Sequence, residues 1–363
     1  MPETHQLRRD RLRAALAERE MDALLVVDLV NIRYLTGFTG SNAVLLAHAA
    51  GERRSVFGTD GRYDSQSAAE VPDLQRVIGR RSVPAMAEQA AKAHCLRVGF
   101  ESQHVTVDGL EVITTAGKGV RWERAPGMVE RLREVKDDGE IESLRMACAA
   151  ADRALASLIA DGGLRAGRTE LRIARELDER MRQEGADGPG FETIVAAGVH
   201  SAIPHHSPTD TPLLAGDFVK MDFGAEVDGY HSDMTRTVVL GPPADWQREV
   251  YQLVVAAQAV GRDALAVGAI TGDVDAAARA VIDAAGYGER FVHGLGHGVG
   301  LRIHEAPSLG REAAGTLAAG MAVTVEPGVY LAERGGVRIE DTLVVREGPA
   351  ELLTMTSKDL VVV

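Results

Sequence analysis

The sequence is poor in cysteine: 363 residues carry only Cys95 and Cys148. The two share no metal-type spacing and frame no disulfide scaffold, which suits a reducing compartment. Positive charge is also short. A formal net charge of −13 disfavours nucleic acid or an anionic membrane as partner, since no basic stripe offsets it. The cluster Arg8, Arg9, Arg11 and Arg13 reads as one solvated helix face. The opening "MPETHQLRRDRLRAAL" lacks an apolar signal core. No apolar run approaches the roughly 18 residues that span a bilayer. The expectation is a soluble cytoplasmic protein.

What remains is ordinary globular composition, 45% hydrophobic and 26% charged, over a length that calls for two domains. Residues 6–20 predict an amphipathic helix. "DALLVVD" predicts a buried strand, and "NIRYLTGFTGSNAVLLAHAA" a loop followed by a strand. "RSVFGTDGRY" reads as a strand and an Asp60-Gly61 turn, and "LRVGFES" as another strand. Residues 1–124 are therefore expected to form an α/β domain. From residue 125 to 363 a second domain follows, opening with a long helical stretch broken near Asp137–Gly139 and then a second helix.

That second domain echoes itself. "GDFVKMDFG" begins at Gly216 and "GMAVTVEPG" at Gly320. Each runs Gly, alternating strand, carboxylate, Gly, giving Asp222 and Glu326. Each continues through a turn to a return strand with a second carboxylate, Asp233 in "HSDMTRTVVL" and Glu340 in "VRIEDTLVVR". Helix-like sequence precedes each copy. The simplest geometry is two helix–helix–hairpin halves about a pseudo-twofold axis.

Alternation along a strand puts Lys220 with Asp222, Thr324 with Glu326, and Arg338 with Glu340. Four carboxylates turned inward would raise one another's pKa, a conflict that divalent cations remove. "HGLGHGVG", from His293, has glycine at every even position. As a helix it would cost roughly 1 kcal/mol per glycine. As an extended segment it offers one bare face to a neighbouring backbone and one face carrying His293 and His297. Asp222, Asp233, His297, Glu326 and Glu340 then supply four oxygen ligands and one nitrogen. That set suits two divalent ions about 3.5 Å apart, favouring Mn2+, with Co2+, Zn2+ or Fe2+ as alternatives.

The string "MDFG", "SDMTRT", "HGLGHGVG", "HE", "VEPG" and "RIED" resembles the metal-dependent pita-bread peptidases, the group of methionine aminopeptidase, aminopeptidase P and prolidase. "NIRYLTGFTGSN" through "TDGRY" is similar to the creatinase/prolidase amino-terminal domain. The resemblance implies an α/β amino-terminal domain and an α+β pita-bread catalytic domain. It implies that the same five residues ligate metal, that His205 contacts substrate, and that His293 lies near it. It further implies that His304 stabilises the reacting carbonyl or leaving group, and that Arg338 holds a ligand carboxylate.

The activity implied is hydrolysis of the Xaa-Pro bond at the amino terminus of short peptides, by a water or hydroxide bridging two metals. Glu326 would shuttle the proton, and His304 with His293 would donate to the oxyanion. The Xaa-Pro bond is a tertiary amide without an N–H. A methionine aminopeptidase resembles the second domain alone. A metal-free creatinase lacks the ligands, and a binding protein that lost catalysis would not need them. Family members are commonly dimers or tetramers, and a homodimer is expected. His206 and His231 match no functional position and read as structural or surface residues. Asp60, Arg62 and Tyr63 read as turn and packing residues, with limitation of peptide length from a partner subunit as the alternative. Arg311 reads as solvated, with a substrate carboxylate as the alternative.

Overall fold

Contacts divide the chain between Arg133 and Glu134 in a computed structural model that describes residues 2–363. The division falls beyond the expected residue 124 because one short helix, Met128–Arg133, buries Met128 and Val129. Its Arg133 Nη1 donates to Asn31 Oδ1 at 2.8 Å, and its Leu132 carbonyl accepts from the Tyr34 hydroxyl at 3.0 Å. It belongs with the first unit.

The first unit is a six-stranded mixed sheet flanked by helices. Its central strand, Ala23–Val26, pairs antiparallel with Ala43–His48 and parallel with Arg97–Phe100. All four residues of that central strand are buried, as a strand covered on both faces should be. "NIRYLTGF" differs from the expected loop: Leu29–Thr36 is a helix. Ile32 and Leu35 bury one stripe of it. Gly37 ends it in the left-handed region at φ 80°, its N–H donating to Arg33 O, a stop that glycine adopts without steric cost.

The second unit begins with a capping box. Asp137 accepts from the Glu140 amide and Glu140 from the Asp137 amide, both at 3.0 Å, which starts α1 (Asp138–Ala160). Helix α2 (Glu170–Gln183) follows. Strands β1 (Ile194–Ala197), β2 (Phe218–Phe223) and β3 (Met234–Val239) form an antiparallel sheet with β2 in the middle. Ala147, Ala151, Ala154, Leu158, Ile173, Leu177 and Met181 of the helices share one core with Val219, Met221 and Phe223 of β2. The opposite face of β2 is thereby left to Lys220 and Asp222.

The second half repeats the plan. Helices α3 (Asp245–Asp263) and α4 (Thr271–Ala284) precede β4 (Gly296–Gly298), β5 (Glu305–Leu309), β6 (Ala322–Val325) and β7 (Asp341–Arg346). Val254, Ala257, Val274, Ala278 and Ile282 share a core with Val323 and Val325, leaving Thr324 on the other face of β6. Both hairpins break beyond their first carboxylate into a short distal ribbon. In the first copy Ala225–Val227 pairs with Tyr230–His231, and in the second Gly328–Leu331 pairs with Gly335–Arg338.

Candidate metal centre

The two hairpins are joined by exchanged hydroxyls. Thr235 lies two residues after Asp233, and Thr342 two after Glu340. Thr235 Oγ1 donates to Glu340 Oε2 at 2.7 Å, while Thr342 Oγ1 donates to the Asp233 carbonyl at 2.8 Å. The Glu340 amide also donates to the Thr235 carbonyl at 3.1 Å. Each half thus positions the other's second carboxylate.

The five expected ligands all line one cleft of about 430 Å3, with His205, His293, His304 and Arg338. Donor atoms of Asp233, His297 and Glu340 lie within 4.8 Å of one another. His297 Nε2 is 3.3 Å from Glu326 Oε1 and 3.5 Å from Asp233 Oδ2. His297 Nδ1 lies 3.0 Å from the Gly298 carbonyl. A carbonyl only accepts, so Nδ1 carries the proton and Nε2 presents its lone pair to two carboxylates. Burial lowers the His297 pKa to about 4, so a second ring proton does not relieve that contact at neutral pH.

Burial pushes Asp233 and Glu340 well above the usual carboxylate range, and neighbouring carboxylates push them further. Glu326 is raised to about 7 by burial, against the Arg338 charge, with Asp222 adding to the rise. Asp222 Oδ1 is buried with no hydrogen-bond partner among the described residues. An unpartnered buried oxygen, a lone pair facing carboxylates and crowded buried acids are what a divalent cation would satisfy together. The donor set fits the metals that the sequence implies.

Adjacent Glu340 and Asp341 separate cleanly. Asp341 faces away, accepting from Arg236 at 2.7 Å, Gln258 at 2.8 Å, Thr354 at 2.9 Å and Lys358 at 2.6 Å. Arg338 is buried and donates from Nη2 to Asp222 Oδ2. Its Nη1 donates to the Tyr330 hydroxyl at 2.9 Å and the Pro204 carbonyl at 3.2 Å, and its Nε to Thr235 Oγ1 at 3.0 Å.

The glycine pattern has the expected cause at Gly294, where a Cβ would meet the Leu309 carbonyl oxygen at 2.8 Å, and most sharply at the next two glycines. A Cβ on Gly296 would sit 2.1 Å from the Thr324 carbonyl oxygen, and one on Gly298 2.1 Å from that of Ala306. The alternation is interrupted, however. Only three residues pair as strand, with a register shift after His297, and Leu295 joins the hydrophobic core. His293 and His297 both border the cleft but do not share one regular strand face, and their ring nitrogens meet different partners. His293 Nδ1 lies 2.8 Å from the Gly294 carbonyl and its Nε2 2.8 Å from the Tyr330 hydroxyl. Burial lowers its pKa to about 4, so the neutral ring donates from Nδ1 and accepts at Nε2. Both nitrogens are committed, and in this arrangement His293 has no N–H for an oxyanion. His205 and His304 are exposed to the cleft, and the His304 ring stands edge-on to His297 with centroids 4.4 Å apart.

Tyr330, Lys220 and Thr235 are site residues that the motifs did not single out. Lys220 is fully buried, and its Nζ donates to the Ile203 and Pro204 carbonyls at 2.6 and 3.1 Å. Its alternation with Asp222 was the available signal. His206 is buried and His231 donates towards the Gly300 carbonyl at 3.0 Å, both as structural residues would. Asp60 accepts from Arg62 and Asn42, and Tyr63 pairs with Ser41. Arg311 lies on a neighbouring pocket that also borders His293 and Ser308.

Residues 8–135 match the creatinase/prolidase N-terminal domain. An Xaa-Pro dipeptidase from Pyrococcus furiosus is 40% identical over 239 residues, 66% of this chain and 68% of the relative. An Xaa-Pro dipeptidase structure from Bacillus anthracis superposes with a TM-score of 0.95 at 36% identity, covering 99% of this chain and 100% of that one. An X-Pro aminopeptidase from Thermotoga maritima superposes with a TM-score of 0.89 at 33% identity, covering 98% and 99%. Among the described residues no helix is long and apolar enough to cross a membrane. Residues 142–347, which hold every expected ligand, match metallopeptidase family M24, and the chain belongs to that family.

Proposed function

We propose that this protein hydrolyses the Xaa-Pro bond at the amino terminus of short peptides. The observation that carries the reading is the His297 lone pair aimed at Glu326 and Asp233 on the floor of the cleft, in a chain similar from end to end to Xaa-Pro peptidases. Asp222, Asp233, His297, Glu326 and Glu340 would hold two divalent cations, Mn2+ being favoured by four oxygen donors and one imidazole. Bound there, such ions bring a water's pKa towards neutrality and polarise the scissile carbonyl.

The chain's own residues do the rest. Glu326, steadied by Thr324 Oγ1 at 3.1 Å, takes a proton from the attacking water and delivers it to the proline nitrogen. That nitrogen carries no hydrogen in the substrate, so there is no peptide N–H to grip, and the proton relayed by Glu326 lets it leave as an amine. His304 donates to the carbonyl oxygen as charge develops there. His205 orients the substrate. Arg338 holds Asp222 in place, and Tyr330 holds both Arg338 and His293.

The same reading takes the protein as a cytoplasmic homodimer. Both cysteines are buried and unpaired, as suits a reducing compartment. Assay of Xaa-Pro dipeptides and Xaa-Pro-Xaa tripeptides on metal-loaded enzyme tests the proposal and separates dipeptidase from aminopeptidase by kcat/KM. Bound metal without turnover of either would favour the alternative, a binding protein on this fold.

A further inference from the structure

A second cluster lies outside the lining of the cleft. Donor atoms of Glu170, His200 and His206 fall within 4.8 Å of one another, a grouping that resembles a metal triad. Hydrogen bonds account for it instead. Glu170 is the first residue of α2 and is fully buried. Its Oε1 accepts from the Ala197 amide at 2.8 Å and lies 2.9 Å from His200 Nδ1. Its Oε2 lies 2.9 Å from His206 Nε2 and accepts from the Thr209 amide at 3.1 Å and hydroxyl at 2.8 Å. A carboxylate facing imidazole nitrogens accepts, so both rings donate to it. The rings stack on each other with centroids 4.3 Å apart. Five donors satisfy one buried charge, as a buried carboxylate requires.

Those five donors span residues 197–209, the segment that carries His205. The middle of the same segment is held by a second set of contacts. Lys220 Nζ grips the Ile203 and Pro204 carbonyls, and Arg338 Nη1 the Pro204 carbonyl. His205 therefore sits between two anchors, a pinned Pro204 and a buried His206 turned towards Glu170. His206 is 8% exposed, while its neighbour His205 opens onto the cleft.

We propose that Glu170 is a positioning residue, which through His206 and His200 fixes segment 197–209 and aims His205 at the substrate. The inference rests on the reading of His205 as a substrate contact. A side chain placed to within a few tenths of an ångström loses its effect when its support loosens. The expected consequence is weaker substrate binding with an intact reaction.

A double-mutant cycle on the metal-loaded enzyme tests this. His206→Ala should raise KM about tenfold and leave kcat within about twofold. His206→Gln, whose amide N–H can replace Nε2–H, should recover most of that loss. In a His205→Ala background the same His206→Ala change should add less than about twofold, because the clamp acts through His205. Hydrogen exchange over residues 197–209 should accelerate at least about tenfold in His206→Ala, with exchange in α2 unchanged. Equal cost in both backgrounds, or unchanged exchange in the segment, overturns the proposal. If His206→Ala does not fold, Thr209→Val removes one donor to Glu170. It should shift KM and exchange the same way by a smaller factor, and no shift in either overturns the proposal. A wild-type enzyme that binds metal and cleaves no Xaa-Pro peptide rejects the assigned function instead, and the exchange measurement alone then decides the clamp.

Discussion

Tyr330 and His293 are joined by a 2.8 Å hydrogen bond in which the phenol donates to Nε2. The same hydroxyl accepts from Arg338 at 2.9 Å, and Arg338 holds Asp222. One tyrosine thus connects Asp222, a proposed ligand, to a histidine of the cleft wall. Burial raises its pKa to about 12, so it stays protonated and keeps donating. The arrangement divides two histidines that the motif treats alike. His304, for which no such hydrogen bond is found among the described residues, is the one with an N–H to offer substrate.

The two roles should separate in kinetics. We expect His304→Ala to cut kcat about 10²–10³-fold with metal content near normal, the cost of one transition-state donor. Tyr330→Phe should lower kcat less, about tenfold, and destabilise the fold by about 1–2 kcal/mol, since buried Arg338 loses one acceptor. Steady-state kinetics with metal analysis on both variants checks this. A larger kcat loss in Tyr330→Phe than in His304→Ala would reverse the assignment.

Metal removal should be felt as stability as well as activity. Without cations, the raised pKa values of Asp233, Glu326 and Glu340 mean that crowded acids hold protons rather than ions. We expect a chelator to abolish hydrolysis and Mn2+ or Co2+ to restore it. At a hundredfold excess over Kd each bound ion should add about 2.7 kcal/mol, a Tm rise of roughly 5–10 °C per ion for a unit of this size. Calorimetry of stripped and reloaded protein measures the shift. Full activity in stripped protein would reject the mechanism.

Much of this site was legible because it rests on two local rules. Alternation separated Asp222 from Met221 and Glu340 from Asp341, and the internal echo paired Asp222 with Glu326. Both rules act through backbone geometry within a few residues. The helix Leu29–Thr36 was missed because its single buried stripe is short, although Gly37 stood as its stop signal. The Thr235–Glu340 and Thr342–Asp233 exchange, the Tyr330 bridge and the Glu170 clamp were illegible for another reason. Each joins residues far apart in the chain, and threonine, tyrosine and glutamate of these kinds are common on any strand or helix start. His293 and His297 both line the cleft, but regular alternation does not carry the one to the other, because strand pairing lasts only three residues there.

The first unit carries its own pH dependence. Glu101 is buried and accepts from the Val27 and Asp28 amides at 2.7 and 2.8 Å and from Asn31 Nδ2 at 2.6 Å. Burial dominates these donors and raises its pKa to about 7. A raised folded-state pKa means the folded state binds this proton more tightly than the unfolded chain does. The stabilisation is complete below the ordinary value of 4.5 and is lost as pH climbs through about 7. We expect a loss of about 1–3 kcal/mol across that window. Glu101→Gln removes the titration, so the stability difference between wild type and variant should shrink as pH rises. Denaturant titrations at several pH values measure it, and a difference that stays constant with pH would exclude Glu101 as the source.

The glycines beside His297, the proposed imidazole ligand, yield the sharpest structural test. Gly298 lies where the next strand crosses so closely that a methyl group would meet the Ala306 carbonyl oxygen at 2.1 Å. A backbone oxygen cannot rotate aside as a side chain can, so the strand itself must move. Gly298 is next to His297, and its carbonyl fixes the His297 tautomer. Any shift therefore turns the Nε2 lone pair away from Asp233 and Glu326. We expect Gly298→Ala to destabilise the second unit by about 1–3 kcal/mol and to weaken metal binding about 10–100-fold, as loss of a ligand's supporting contact does. Gly310 provides the control. A Cβ there finds its nearest neighbours at 3.8 Å, and Gly310→Ala should bind metal like the wild type. Isothermal titration with Mn2+ reads both. Equal affinities in the two variants would mean that the bare face of "HGLGHGVG" does not govern the placement of His297.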